Sequence, residues 1–166
     1  MGQDLEGLAD ANLLELRAVR DRNAFAALGR AVSYLMTKPN FSERQFGNWS
    51  RTLTGQVNRG HYFLVTDGKK IVGFAGWALV DEERGRLWLN GCGDLASKDC
   101  INGDCMVINA WAADNSTINR FILKELRKYA AGRRAVYAKR FYSDGSVRPL
   151  QLAITKVLNS HLDNTP

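Results

Sequence analysis

Residues 71–79 are apolar at nearly every position: Ile71, Val72, Phe74, Ala75, Trp77 and Ala78 stand within nine residues. A strand with one wet face alternates, so a strand apolar on both faces must be covered on both. This run therefore calls for a central strand in a layered domain, with helices against each side of a sheet. Its neighbours fit that plan. Residues 62–66 read as the strand before it, joined through Asp67-Gly68, and residues 86–90 as the strand after it, joined through residues 81–85. Residues 91–104, rich in Gly and Asn, form an irregular excursion. A fourth strand over 106–113 leads through Asp114-Asn115-Ser116 into a helix with Ile118, Phe121, Ile122 and Leu126 inward, closed by Gly132. Residues 135–141 read as a fifth strand and 150–158 as a final helix.

Upstream, the apolar period is helical. Residues 4–20 carry Leu5, Leu8, Leu13, Leu14, Leu16 and Val19 among charges, which predicts an N-terminal helical extension over 1–22. Asn23 is the expected N-cap of a helix burying Phe25, Leu28, Val32, Leu35 and Met36, stopped by Pro39. Ser42-Glu43-Arg44-Gln45 has the form of a capping box, with Phe41 and Phe46 as its hydrophobic staple. The helix it opens carries Trp49, Leu53 and Val57 on one face and ends near Gly60. The 166 residues make one domain, 1–166, of α/β class: a mixed, mostly antiparallel sheet with helices on both faces.

The net charge is +6, which suits an acidic partner. The pairs Arg127-Lys128, Arg133-Arg134 and Lys139-Arg140 are interleaved with Tyr129, Tyr137, Phe141 and Tyr142, and read as a solvated face, an acidic-protein dock or a nucleic-acid surface. No nucleic-acid motif accompanies them, so nucleic acid is not the expected partner. Cys92, Cys100 and Cys105 fit no usual zinc spacing, and His61 and His161 stand apart from them, so no metal is expected. Without a signal peptide or an apolar run of membrane-span length, the expected location is cytoplasmic, with reduced thiols.

A collinear series then carries a family likeness. It comprises Leu28-Gly29, Val32-Ser33, Pro39, Tyr62, Leu64, Thr66, Trp77-Ala78, Leu89-Asn90, Leu95, Asp99, Gly103-Asp104 and Trp111. In this series the chain resembles the RTX toxin-activating (hemolysin-activating) lysine acyltransferases, of the GCN5-related N-acyltransferase fold. The likeness covers just over half the chain. It implies transfer of a fatty acyl group from acyl carrier protein to a side-chain amine. It also exposes a departure. Phe41 stands where the family has its histidine, and the family aspartate falls on Ala110, or on Asn109 if the alignment slips by one. Lys38 takes the place of a serine.

Two readings follow. One keeps transfer, from an acyl carrier protein thioester to a lysine- or ornithine-type amine on a protein or ribosomal peptide. Its basis is that positioning an amine against an activated ester supplies about 7–11 kcal/mol in favourable cases, whereas acid–base help adds only ~10²–10⁴-fold. The other is a pseudo-acyltransferase that binds a carrier protein or peptide without turnover. The candidates for catalysis are Asn109, as an amide donor to the thioester carbonyl, His61 and Glu43 as substitutes for the missing base, and Ser42, which also reads as an N-cap. Candidates for the acyl or substrate channel are Phe41, Phe74, Trp77, Asn90, Val107 and Trp111, each also readable as core or, for Asn90, as the support of a loop. The turn at 112–117 has no glycine and an acid in front, which disfavours a dinucleotide-type phosphate there and hence acyl-CoA as donor. Relatives of this type are often dimers, so a homodimer is expected.

Overall fold

The computed structural model describes residues 15–141 and 146–152. Six strands form one sheet in which spatial order follows chain order: β1 (Arg17–Val19), β2 (Tyr62–Thr66), β3 (Ile71–Val80), β4 (Cys105–Ala113), β5 (Ala135–Phe141) and β6 (Val147–Leu152). Every pairing is antiparallel except β4 with β5. That parallel pair needs a crossover, which α5 (Ser116–Ala130) supplies. The α/β sandwich expected from the apolar run of β3 is what the structure shows: all of β3 from Val72 to Val80 is buried.

One face of the sheet packs Phe63, Val65, Ala75, Trp77 and Met106 against Ile118, Ile122 and Leu126 of α5. The other packs Tyr62, Leu64, Phe74 and Ala110 against α1 (Ala24–Leu35) and α3 (Phe46–Arg59). Beside α3 on that face, α4 (Glu82–Leu89) covers Ala78, Val80, Val107 and Tyr137 through Trp88 and Leu89. The paired aromatics of the basic tract therefore split: Tyr137 is fully buried and Tyr129 packs on Trp77 and Phe63. Tyr142 lies outside the described residues.

Asn23 caps α1 as expected, accepting from the N–H groups of Phe25 and Ala26 at 2.9 and 3.0 Å. Its inward face is displaced from the expected one. Ala27, Ala31, Tyr34 and Leu35 are buried, whereas Phe25 is 86% exposed and Met36 lies beyond the last turn. Two alanines one turn apart let the helix backbone settle close to the sheet, which pushes Leu28 and Val32 to its flank.

The capping box does not form. Pro39 instead opens a single turn, α2 (Pro39–Ser42), because a residue with fixed φ and no N–H suits the first helical position. Ser42 ends that turn, its hydroxyl 3.5 Å from the Pro39 carbonyl, and α3 starts four residues later behind Gln45. Phe41 and Phe46 each meet Trp49 edge-on, at 6.2 and 5.5 Å, and do not staple one another. Trp49, Leu53 and Val57 are buried as expected, and Gly60 ends the helix at a φ of 69° that favours glycine.

Three further expectations fail. Residues 86–90 are not a strand but the last turn and C-cap of α4. Asp81 accepts from the Arg84 N–H at 2.8 Å, Glu82 and Glu83 sit in the first turn and Arg86 in the last, so the charges run with the helix dipole. Within the N-terminal segment, residues 17–19 form an edge strand on β2 rather than helix. A three-residue strand is too short for its period to show, and residues 1–14 lie outside the described residues. At the other end, residues 150–152 belong to β6, whose pairing with β5 overrides the helical pattern; residues 153–158 lie outside the described residues. Among the described residues, no helix is long and apolar enough to cross a membrane. Replacing Asp81 by alanine should cost about 1 kcal/mol, the usual effect of losing an N-cap, read from urea unfolding.

Candidate active site

The sheet opens at one place. β4 pairs with β5 only from Cys105↔Ala135 to Ile108↔Ala138; beyond that β4 continues beside β3 and β5 beside β6. At the same point the β3–β4 register slips: Gly76 faces Ala110 and Trp77 faces Ile108. Asn109 is the extra residue of this bulge, and the one residue of β4 with no register partner in either neighbouring strand. A bulge redirects its side chain and leaves backbone groups outside the ladder.

Beneath the opening lies a cleft of about 630 Å³, a size usual for small-molecule sites. Its β4 wall is Ile108, Asn109, Ala110 and Trp111, and β5 contributes Ala138 and Lys139. The α2–α3 segment supplies Phe41, Arg44, Asn48, Arg51, Thr52, Gly55 and Arg59, and the far rim is Trp88, Asp94, Leu95 and Cys100. Among the described residues, four cations thus line it against one carboxylate.

Asn109 is held from below. Gln56 of α3 is fully buried and donates its side-chain N–H to Asn109 Oδ1 at 2.5 Å. Gly76 makes room for this contact, since a Cβ there would stand 2.3 Å from Gln56 Oε1. With its oxygen so engaged, Asn109 has its amide N–H groups left to offer to the cleft. Lys139 lies with its ammonium 4.4 Å from the Trp88 ring centre, and its pKa is lowered by burial and then by the Arg44 charge. Burial lowers Arg44 as well, and its guanidinium covers the Phe41 ring at 5.5 Å. The Cys100 thiol donates to the Ala96 carbonyl at 3.1 Å and burial pushes its pKa up, so it is not poised as a thiolate.

The cleft brings together three of the residues singled out in the sequence: Phe41, Asn109 and Trp111. Phe41 is packed into its wall, 7% exposed, and does not fill it. The two positions where the resemblance places the family's histidine and aspartate, Phe41 and Asn109–Ala110, thus line one cavity. The others are elsewhere. Phe74 and Val107 are fully buried in the core beneath the helices, and Trp77 packs on the α5 face against Phe63 and Tyr129. His61 stacks on Trp77, with centroids 6.1 Å apart, and its pKa is lowered to about 4 by burial and by Arg59, Arg20 and Arg133, so it is neutral at pH 7. Ser42 and Glu43 are exposed outside the lining, and Asn90 caps the C-terminus of α4 rather than ending a strand.

Sequence reasoning missed Gln56, Arg51, Arg59 and Asp94, took Arg44 only as part of a capping box, and noted Lys139 only as one of a basic pair. Gln56 did leave a signal: it occupies the apolar phase of α3, at the place where Trp49 and Leu53 predict a buried side chain. The turn after β4 is closed. Asp114 takes the Lys38 ammonium at 2.5 Å and the Tyr34 hydroxyl at 3.0 Å, and Asn115 Oδ1 accepts the Ile118 N–H at 3.0 Å.

A comparison with curated proteins gives no match. The profile of the RTX toxin acyltransferase family matches residues 20–151, a span that holds every element described above from α1 to β5 and the whole of the cleft. The chain belongs to the RTX toxin acyltransferase family.

Proposed function

We propose that the cleft between β4 and β5 transfers a fatty acyl group from acyl carrier protein to a lysine- or ornithine-type amine of a protein or ribosomal peptide. The observation that carries this reading is Asn109, unpaired in the sheet and fixed by Gln56 at the mouth of a cationic cleft. The amine nitrogen attacks the thioester carbonyl, the C–N bond forms and the C–S bond breaks. The carrier's thiolate leaves and takes up a proton, and the amine gives up its own to water. The Asn109 amide N–H meets the developing oxyanion. Arg59, Arg44 and Lys139 support both ends of this step. Like charges disfavour an ammonium, so they favour the neutral, nucleophilic form of an incoming amine. They also attract an acidic carrier. The closed turn after β4, with Asp114 at its head, supports a carrier protein over coenzyme A as donor.

The experiment is single-turnover transfer from carrier protein bearing a labelled acyl chain to lysine- and ornithine-containing peptides, followed by intact mass. The expected result is an acyl increment on the amine with loss of the thioester. The second reading, a non-catalytic binder, draws on the apolar Phe41 and Ala110 at the two family positions. Binding of the carrier with its thioester intact across all acceptors would establish it instead.

A further inference from the structure

The first residues of β4 and β5 beyond their last pairing are Asn109 and Lys139. Ile108 and Ala138, the pair before them, pack on the α5 side of the sheet. Alternation along a strand turns the next residue of each to the opposite face. The contacts agree. Asn109 meets Gln56 of α3, Lys139 lies over Trp88 of α4, and both line the cleft. Paired strands stand about 4.8 Å apart, and one residue past a pairing the gap has only begun to widen. An amide donor and a primary amine thus flank one opening.

Lys139 differs from the other lysines described. Lys69, Lys70, Lys98, Lys124 and Lys128 are exposed, and Lys38 is tied to Asp114. Among the described residues, Lys139 is the one lysine that lines the cleft, and no carboxylate pairs with it, whereas Lys38 and Lys128 have such partners. Its ammonium is held instead by the Trp88 ring at 4.4 Å, an attraction that the neutral amine lacks. Burial, and then the Arg44 charge, shift it toward that neutral form. Once neutral it is released from the ring, and its flexible four-carbon stem can turn across the opening toward Asn109.

We propose that Lys139 is itself an acyl acceptor, modified by the chain's own cleft from the donor thioester when no outside amine is present. The proposal rests on the acyl-transfer reading above and adds a modification site to it. The Lys139 nitrogen attacks the thioester carbonyl, the C–N bond forms and the C–S bond breaks. The electron pair of the broken bond leaves on sulfur, which takes up a proton, and the nitrogen gives one to water. One thioester is consumed for one amide formed, so each chain gains a single acyl group. An amide, unlike a thioester, is not activated for onward transfer. The product also removes a cation from the cleft and lays an acyl chain within it, so a modified chain is closed to outside acceptors.

The test incubates the full chain with acyl carrier protein bearing a labelled acyl chain, without and then with a lysine-containing acceptor peptide. Without the peptide, intact mass should show one acyl increment, and fragment mapping should place it on Lys139. The increment should survive hydroxylamine, which cleaves a thioester on Cys100 and spares an amide. Asn109→Ala should slow its formation by about 10²–10³-fold, the usual cost of one oxyanion donor. Lys139→Arg should remove it; circular dichroism shows whether that variant is folded, and the mapping on the unaltered chain decides the question without it. Label spread over the exposed lysines would overturn the proposal, as would an unchanged rate in folded Asn109→Ala. Acylation of the peptide with Lys139 left bare would overturn it too, and would leave the transfer reading standing. Acylation of Lys139 with no outside amine ever modified would uphold it and remove the outside acceptor from that reading. Label on neither would end both.

Discussion

Replacing Asn109 by alanine should lower the turnover number for acyl transfer by about 10²–10³-fold, with the donor KM nearly unchanged. This is the usual cost of removing one preorganised donor to an oxyanion. The direction follows from where Asn109 sits: at the bulge of β4, past the last β5 pairing, with its Oδ1 taken by Gln56. The variant also leaves the Gln56 amide buried without its acceptor, which should cost about 1–3 kcal/mol of stability. Rates must therefore be compared well below the variant's melting temperature. A turnover number unchanged in the folded variant would mean that the amide does not meet the reacting carbonyl.

Phe74→Ala should destabilise the fold by about 3–5 kcal/mol, the range for deleting a large aromatic from a packed core. Phe74 is fully buried on β3, stacked on Tyr62 at 6.3 Å and covered by α1 and α3. It is not among the residues that line the cleft, so preference for acyl chain length should not change in the protein that remains folded. Urea unfolding with a donor series of increasing chain length reads both effects. A stable variant with altered chain preference would place the lipid tail under α1, contrary to this account.

The fold was largely legible because β3 is apolar on both faces and because α5 keeps a clean helical period from Ile118 to Leu126. Where reading failed, a local signal lost to a neighbour. The Ser42 capping box yielded to Pro39, whose ring starts a helical turn three residues earlier. The segment at 86–90 has an alternating look, but Asp81 and the charge order of residues 82–86 make it a helix. The edge strands β1 and β6 are held by ladder hydrogen bonds to β2 and β5, a tertiary effect with little trace in their own residues. The site was legible in outline, since Phe41, Asn109 and Trp111 meet in the cleft. Its cluster of cations was not, because Lys139 stands in a basic pair far along the chain from Arg44, Arg51 and Arg59, and nothing in their spacing joins them. Only the splay of β4 from β5 gathers them. Gln56 and Gly76 form a matched pair, a buried amide and the missing Cβ that admits it, which sequence spacing alone does not connect.

The most direct measurement maps where the reacting end of the donor lies. A carrier-linked acyl chain with a thioether in place of the thioester cannot react and can be followed by amide chemical-shift changes in the labelled protein. The account predicts the largest changes at Ile108–Trp111, at Ala138–Lys139 and along Asn48–Arg59. Changes gathered instead around Tyr34, Lys38 and Asp114, with the β4–β5 opening unperturbed, would contradict it.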